Sequence, residues 1–240
     1  MSKEKNEILI IGHRGASKVA PENTLLAFEK SIELKADYIE FDLRKTKDGE
    51  VVIIHDSNTI RTTGYDGEVR DMMLSELKQI DFGDGERIPT LKELVNSFGN
   101  RIGFLFDFAT AGLAEDVVKI LKHHELKEKP VFSSFITSEI LKLREIDKEL
   151  RLGYLIIKQE KSKNRIMKTV DKAVKNQFYS MNLYFDVIDK EMVRYVHNSN
   201  LKIYAWTVNE RNDIKNLIDL GVDAIITDDV LLAKELLDAN

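Results

Sequence analysis

The sequence predicts an α/β fold: a (β/α)8 TIM barrel with a short insertion after a β-hairpin that follows strand 2. Three observations carry this. Short apolar runs alternate with longer amphipathic segments along the whole chain, as in parallel strands joined by crossover helices. The runs that precede a helical segment number eight, near residues 10, 40, 105, 133, 155, 181, 205 and 225, which is the count that closes a barrel. A ninth run, Val51–Ile54, is joined to its predecessor through Asp48-Gly49. That pair signals a hairpin turn, not a crossover, so the run stands outside the barrel count. An open doubly wound sheet, the competing architecture, usually carries a Gly-x-Gly-x-x-Gly loop after its first strand, and the chain has none. The 240 residues are read as one domain, with 57–87 as the insertion.

The elements follow in order. Ile8–Ile11 is a buried strand ended by Gly12. After the Pro21 breaker, Asn23 or Thr24 caps a helix from about Thr24 to Ala36, with Leu25, Phe28, Ile32 and Ala36 on its buried face. Tyr38–Asp42 and Val51–Ile54 form the hairpin. The polar, glycine-dotted segment Ser57–Arg87 is expected to hold one short helix near Ser75–Ile80. Thr90 caps a helix that runs to Phe98. Regular alternation then sets in. Strands Ile102–Asp107, Val131–Phe135, Leu152–Ile157, Phe178–Leu183, Lys202–Thr207 and Asp223–Thr227 are each followed by a helix. Those helices are read as Ala111–Glu125, Ser138–Glu149, Asn164–Asn176, Lys190–Asn200, Glu210–Leu220 and Val230–Ala239.

Composition narrows the function. The chain has no cysteine, which removes thiolate nucleophiles, disulfides and Cys-ligated metals. A net charge of −5 without a basic stripe argues against nucleic acid as a partner. The apolar run near the start is too short for a signal-peptide core or a membrane anchor. A cytoplasmic protein acting on a small molecule is expected.

The hairpin concentrates polar side chains. If Asp48-Gly49 is a two-residue loop, Lys47 pairs with Glu50, Lys45 with Val52, Leu43 with Ile54, and Asp42 with His55. Glu40 and Asp42 share a strand face. In barrels of this kind chemistry sits at the C-terminal ends of the strands. His13, Arg14, Glu40, Asp42, His55, Asp107, Lys158, Trp206 and Asp228 all fall at that rim. Asp228 is read there as the N-cap of the last helix, and Trp206 as wall or ligand contact. His123, His124 and His197 are placed on outer helices.

Three carboxylates would suit a hard cation, Mg²⁺ or Ca²⁺. Arg14 offers a fork for phosphate oxygens, and two imidazoles suit proton transfer near neutral pH. Residue types alone fit phosphodiester hydrolysis, but equally a lyase, an aldolase-like enzyme or a sugar-phosphate enzyme.

Longer motifs separate these. His13-Arg14-Gly15, Pro21-Glu22-Asn23-Thr24, Glu40-Phe41-Asp42, His55-Asp56, Arg61-Thr62-Thr63-Gly64, Ile88-Pro89-Thr90-Leu91, Ser133-Ser134-Phe135, Ala205–Asn209 and Gly221–Asp228 together resemble the glycerophosphodiester phosphodiesterase family across nearly the whole chain. The resemblance implies a divalent cation, Mg²⁺ or Ca²⁺ and also Mn²⁺, on Glu40, Asp42 and a third acid from strand three, here Asp107. It implies His13 and His55 as general acid and base and Arg14 on the phosphate. The expected products are sn-glycerol 3-phosphate and an alcohol, with room for a cyclic intermediate formed by a glycerol hydroxyl. The chain departs from the family pattern where Asp107 and Ala109 replace a usual Glu and Lys. Lys158, by its rim position, is a candidate replacement cation for substrate binding beside Trp206. Action on lysophospholipids or phosphoinositides, and binding of a diester without cleavage, are the alternatives.

Overall fold

The computed structural model describes residues 7–239. Its strands are β1 (Leu9–Gly12), β2 (Tyr38–Lys45), β3 (Val51–Ile53), β4 (Gly103–Phe108), β5 (Val131–Ser134), β6 (Arg151–Leu155), β7 (Ser180–Tyr184), β8 (Lys202–Trp206) and β9 (Ala224–Thr227). Between them lie α1 (Leu25–Glu33), α2 (Ile60–Thr63), α3 (Leu74–Leu77), α4 (Leu91–Phe98), α5 (Ala114–Leu121), α6 (Thr137–Ile146), α7 (Lys163–Lys175), α8 (Lys190–Asn198), α9 (Arg211–Leu220) and α10 (Val230–Asp238). Parallel pairing runs β2-β4-β5-β6-β7-β8-β9, and β1 closes the ring by pairing with both β9 and β2. This is a (β/α)8 barrel, with β3 paired antiparallel to the C-terminal end of β2.

Strand parity divides the side chains. Ile11, Tyr38, Leu105, Val131, Tyr204, Ala224 and Ile226 fill the barrel interior. Their strand neighbours, such as Ile10, Ile39, Phe41, Phe104, Phe106 and Ile225, pack outward beneath the helices. The period-2 alternation therefore fixes which polar residues point inward. The first helix begins where Thr24 accepts from Ala27 N, and α4 begins at a reciprocal Thr90–Glu93 capping box. The helix expected over Ala111–Glu125 is shorter, because the chain turns at Gly112 (φ +83°) and α5 starts only at Ala114.

Two expectations are corrected. The segment 57–87 holds α2, a 3₁₀ turn at Val69–Asp71 and α3 instead of one helix. The hairpin register is also shifted by one residue: Lys45 opposes Val51, Arg44 opposes Val52 and Leu43 opposes Ile53. The loop has three residues, not two. Gly49 N donates to Thr46 O and Thr46 N to Glu50 O, both at 3.0 Å. Gly49 alone in the loop has positive φ, +85°, as in a turn that ends in a glycine bulge. Asp48 prefers this form because its carboxylate accepts from Thr46 Oγ1 at 2.6 Å and from Leu74 N at 3.0 Å. The shift turns Val52 and Ile54 toward a small second core with Val69, Leu77, Phe82 and Ile88, while Val51 and Ile53 join the main core.

Candidate active site

The inward parity of β2 and β4 builds the centre of the site. Asp42 and Asp107 are directly paired across the two strands, and Glu40 lies one inward position below Asp42. Carboxylate oxygens of all three lie within 4.8 Å of one another. Glu40 Oε2 accepts from Arg14 N at 2.9 Å, and Asp42 Oδ2 accepts from Asn23 Nδ2 at 2.8 Å. Asp107 Oδ1 is buried with no hydrogen-bond partner. Burial pushes the Glu40 carboxyl well above its ordinary range, and the charges of Asp42 and Asp107 add to the rise. Asp107 is raised well above its range by burial and by Asp42. An orphaned acid oxygen beside two like charges is an expensive arrangement on its own. A hard divalent cation held by oxygen ligands resolves it, so this donor set fits one.

The turn after β1 brings two more groups. Arg14 adopts φ 55°, a conformation rare for a residue with a side chain. It aims the Arg14 N–H at Glu40 while Nη1 donates to Glu22 Oε1 at 2.8 Å and Nε sits 3.4 Å from Asp42 Oδ2. Gly15 follows because a Cβ there would stand 2.7 Å from that of Ala27. His13 faces the same cleft, its Nδ1 2.6 Å from Asp228 Oδ1. His55 enters from the hairpin side, its Nδ1 2.6 Å from Asp56 Oδ1. Asp42 does not oppose His55 as expected; Ile54 N bonds Asp42 O. His55 reaches the rim as the second residue past β3, and Arg44 Nε donates to its carbonyl at 2.8 Å. The cleft holds about 130 Å³ of water-accessible space and is walled opposite the acids by Phe135, Leu155, Asn182 and Trp206.

A profile described as the glycerophosphoryl diester phosphodiesterase family matches residues 13–232. A glycerophosphodiester phosphodiesterase of Caldanaerobacter subterraneus is 35% identical over 92% of this chain and 94% of its own length. The chain belongs to the glycerophosphoryl diester phosphodiesterase family. A solved glycerophosphodiester phosphodiesterase from Thermotoga maritima is 31% identical, covers 95% of this chain and 98% of its own, and superposes with a TM-score of 0.82. A solved phosphodiesterase of Oleispira antarctica, in complex with the product sn-glycerol-3-phosphate, is 26% identical, covers 96% of each chain and has a TM-score of 0.86. The protein is a phosphoric diester hydrolase.

Within this phosphodiesterase, Trp206 stands in the cleft wall. Its Nε1 donates to Asn182 O at 3.1 Å, and its ring meets Phe135 and Tyr184 edge-on at 5.9 and 5.5 Å. Lys158 is not part of the cleft lining. Its ammonium lies 4.7 Å over the Tyr184 ring, outside the Trp206 wall. Ala109 N bonds the carbonyl of Leu43, the residue before Arg44. Arg14 and Arg44 are the cations that oppose the rise of the Asp107 carboxyl. Among the outer histidines, His124 bonds Asn96 and His197 bonds Asp223, both away from the cleft.

Several partners were not assigned from the sequence. Asp228 does not cap α10; Asp229 does, accepting from Leu232 N at 3.1 Å. Asp228 serves His13 and also accepts from Ser17 Oγ at 2.9 Å and Asn209 Nδ2 at 2.5 Å. Burial works against its ionisation, but these bonds and the neighbouring imidazole bring its pKa down to about 2. Asp56 and Glu22 are likewise held below their ordinary values: burial opposes this, and Arg61 overrides it with His55 at the first and Arg14 at the second. The adjacent pair Asp228-Asp229 carried no signal to say which carboxylate turns inward. The motif matches at Glu22-Asn23 and Arg61 marked those positions without assigning them a contact.

Proposed function

We propose that the protein hydrolyses small, water-soluble glycerophosphodiesters to sn-glycerol 3-phosphate and an alcohol. The observation that carries this is the convergence of three inward carboxylates, an arginine fork and two Asp-bonded imidazoles on one cleft. Glu40, Asp42 and Asp107 would hold a divalent cation such as Mg²⁺ or Ca²⁺. When bound, it would polarise a phosphoryl oxygen and offset its charge.

The chain's own groups supply the rest. Arg14, kept cationic by Asp42, Glu22 and Glu40 against the cost of its burial, binds the phosphate. Each histidine gives its Nδ1 to a carboxylate, which leaves Nε2 to face the substrate and fixes the ring. His13 and His55 can then divide the proton transfers: one takes the proton of an attacking glycerol hydroxyl while the other protonates the departing alkoxide. With the roles reversed, water opens the resulting cyclic phosphate, its oxygen ending on phosphorus in sn-glycerol 3-phosphate. Leu155, Phe135 and Trp206 give the cleft an apolar wall on the side away from the acids. Among the described residues no helix is long and apolar enough to cross a membrane.

The deciding experiment is a coupled assay for released glycerol 3-phosphate from glycerophosphocholine and glycerophosphoethanolamine. It is run with Mg²⁺, Ca²⁺ or Mn²⁺ and with a chelator. Release that requires a divalent cation supports the proposal. Absence of release with every cation, or cleavage of lysophospholipids alone, refutes it.

A further inference from the structure

The insertion reaches the site through Arg61, on α2. Its guanidinium commits all three nitrogens to two carboxylates. Nε donates to Asp56 Oδ2 at 2.5 Å, while Nη1 and Nη2 donate to Glu22 Oε2 and Oε1 at 2.9 and 2.6 Å. Each of those carboxylates has its other bond inside the cleft. Asp56 Oδ1 meets His55 Nδ1 at 2.6 Å, and Glu22 Oε1 accepts from Arg14 Nη1 at 2.8 Å. A continuous path therefore runs His55–Asp56–Arg61–Glu22–Arg14.

The two histidine–carboxylate pairs differ in what stands behind them. Asp228, behind His13, is pinned by Ser17 and Asn209, and its own N–H is bonded to Asn209 Oδ1 at 2.9 Å. Asp56, behind His55, has no side-chain partner among the described residues other than His55 and Arg61. Glu22 has none besides Arg14 and Arg61. Without Arg61, Asp56 would keep only its bond to His55 and Glu22 only its bond to Arg14. Each carboxylate could then turn about that one bond, and Glu22 could bring its second oxygen onto Arg14 and draw it off the phosphate. An isolated surface ion pair would do nothing of the kind and is worth little. A guanidinium that bridges two acids with fixed fork geometry is a different object.

We infer that Arg61 is a positioning residue. Through Asp56 it orients the His55 imidazole, and through Glu22 it orients the Arg14 guanidinium, so the insertion completes the catalytic site. This rests on the roles proposed above for His55 and Arg14.

The test uses Arg61→Ala and Arg61→Lys in the full-length, cation-loaded enzyme. Substituting groups that orient a site's working side chains costs about 10- to 100-fold, and both variants are expected to lose that much in kcat, with KM also raised through Arg14. The Arg61 side chain is 48% exposed, so a small cation can take its place. Millimolar guanidinium chloride should restore part of the Arg61→Ala rate while leaving the wild type unchanged. A substrate-free readout is the low-field proton NMR signal of each Asp-bonded Nδ1–H. Arg61→Ala should move or broaden the His55 signal and leave the His13 signal in place. The proposal is overturned by a kcat/KM within threefold of wild type together with an unmoved His55 signal. It is equally overturned by a loss that guanidinium does not relieve and that disturbs both histidine signals, which is general damage to the fold. If the wild type releases no glycerol 3-phosphate, the functional reading falls, and the two NMR signals still decide whether Arg61 positions His55.

Discussion

His13 and His55 are matched residues with unequal support, and their variants test the site most directly. Loss of an acid or base group costs about 10²- to 10⁴-fold. We expect His13→Ala and His55→Ala each to lower kcat by about 10²-fold or more. Activity above a tenth of wild type in steady-state assays would contradict either role. Asp228→Asn should lower kcat about 10- to 100-fold by removing the charge behind His13. The sign of its titration is clear. Asp228 has a folded pKa depressed from 3.8 to about 2, so its stabilising contribution is present above 3.8 and is lost as pH falls toward 2. A rate loss seen well above pH 4 is therefore not the titration of Asp228 and should still be present, though displaced along the pH axis, in Asp228→Asn. A limb left in the same place in Asp228→Asn would show that the Asp228 charge does not act on the titrating group. At this scale the sequence exposed the groups that inward parity fixes, namely His13, Glu40, Asp42 and Asp107. It hid the His13–Asp228 pairing, which joins residues 215 positions apart and depends on a choice between two adjacent aspartates. Lys158 shows the converse: position at a strand end says nothing about where a long, flexible side chain goes.

The hairpin shows how an element can deliver a residue by a route other than the one its sequence suggests. Asp48-Gly49 does mark the turn, but a glycine at the end of a three-residue loop and a glycine inside a two-residue loop look alike in sequence. The difference is one residue of register, which reverses the faces of the returning arm. What selects the observed register is burial: Val52 and Ile54 cover the insertion's small core, which was invisible while 57–87 read as a polar segment. Ile54 is 3% exposed and directly precedes His55. Ile54→Ala should destabilise the protein by about 2–5 kcal/mol, the usual cost of a large-to-small change in a packed core. It should also lower kcat at temperatures where the fold is intact, because β3 and the insertion separate beneath His55. Urea unfolding alongside initial rates checks both. A stability loss below about 1 kcal/mol with normal kcat would mean that the second core does not hold the hairpin.

At the scale of the whole molecule, the barrel was legible because eight-fold alternation is a global pattern that survives errors of up to four residues at helix ends. The charge balance was legible only as a list of rim residues, since opposition between carboxylates depends on which strands are neighbours. That balance sets the stability curve. Asp228, Asp56, Glu22 and Asp223 have depressed carboxyls and contribute stability that is lost on acidification. Glu40 and Asp107 have raised carboxyls. In the cation-free protein the folded state then holds protons that the unfolded chain has released, so stability falls as pH rises from the ordinary values of 4.5 and 3.8 toward the raised ones. A bound divalent cation holds both groups ionised and cancels that slope. A ligand at a hundred times its Kd adds about 2.7 kcal/mol, or roughly 5–10 °C in Tm for a chain of this length. Melting curves with saturating Mg²⁺ and with a chelator should therefore diverge as pH rises above about 4.5. Asp107→Asn should melt higher than wild type in chelator, because one opposed charge is gone, and should gain less from Mg²⁺. If the interval between the two curves is flat with pH, or if Asp107→Asn is no more stable than wild type without the cation, the three carboxylates are not the strained, cation-seeking cluster that their geometry describes.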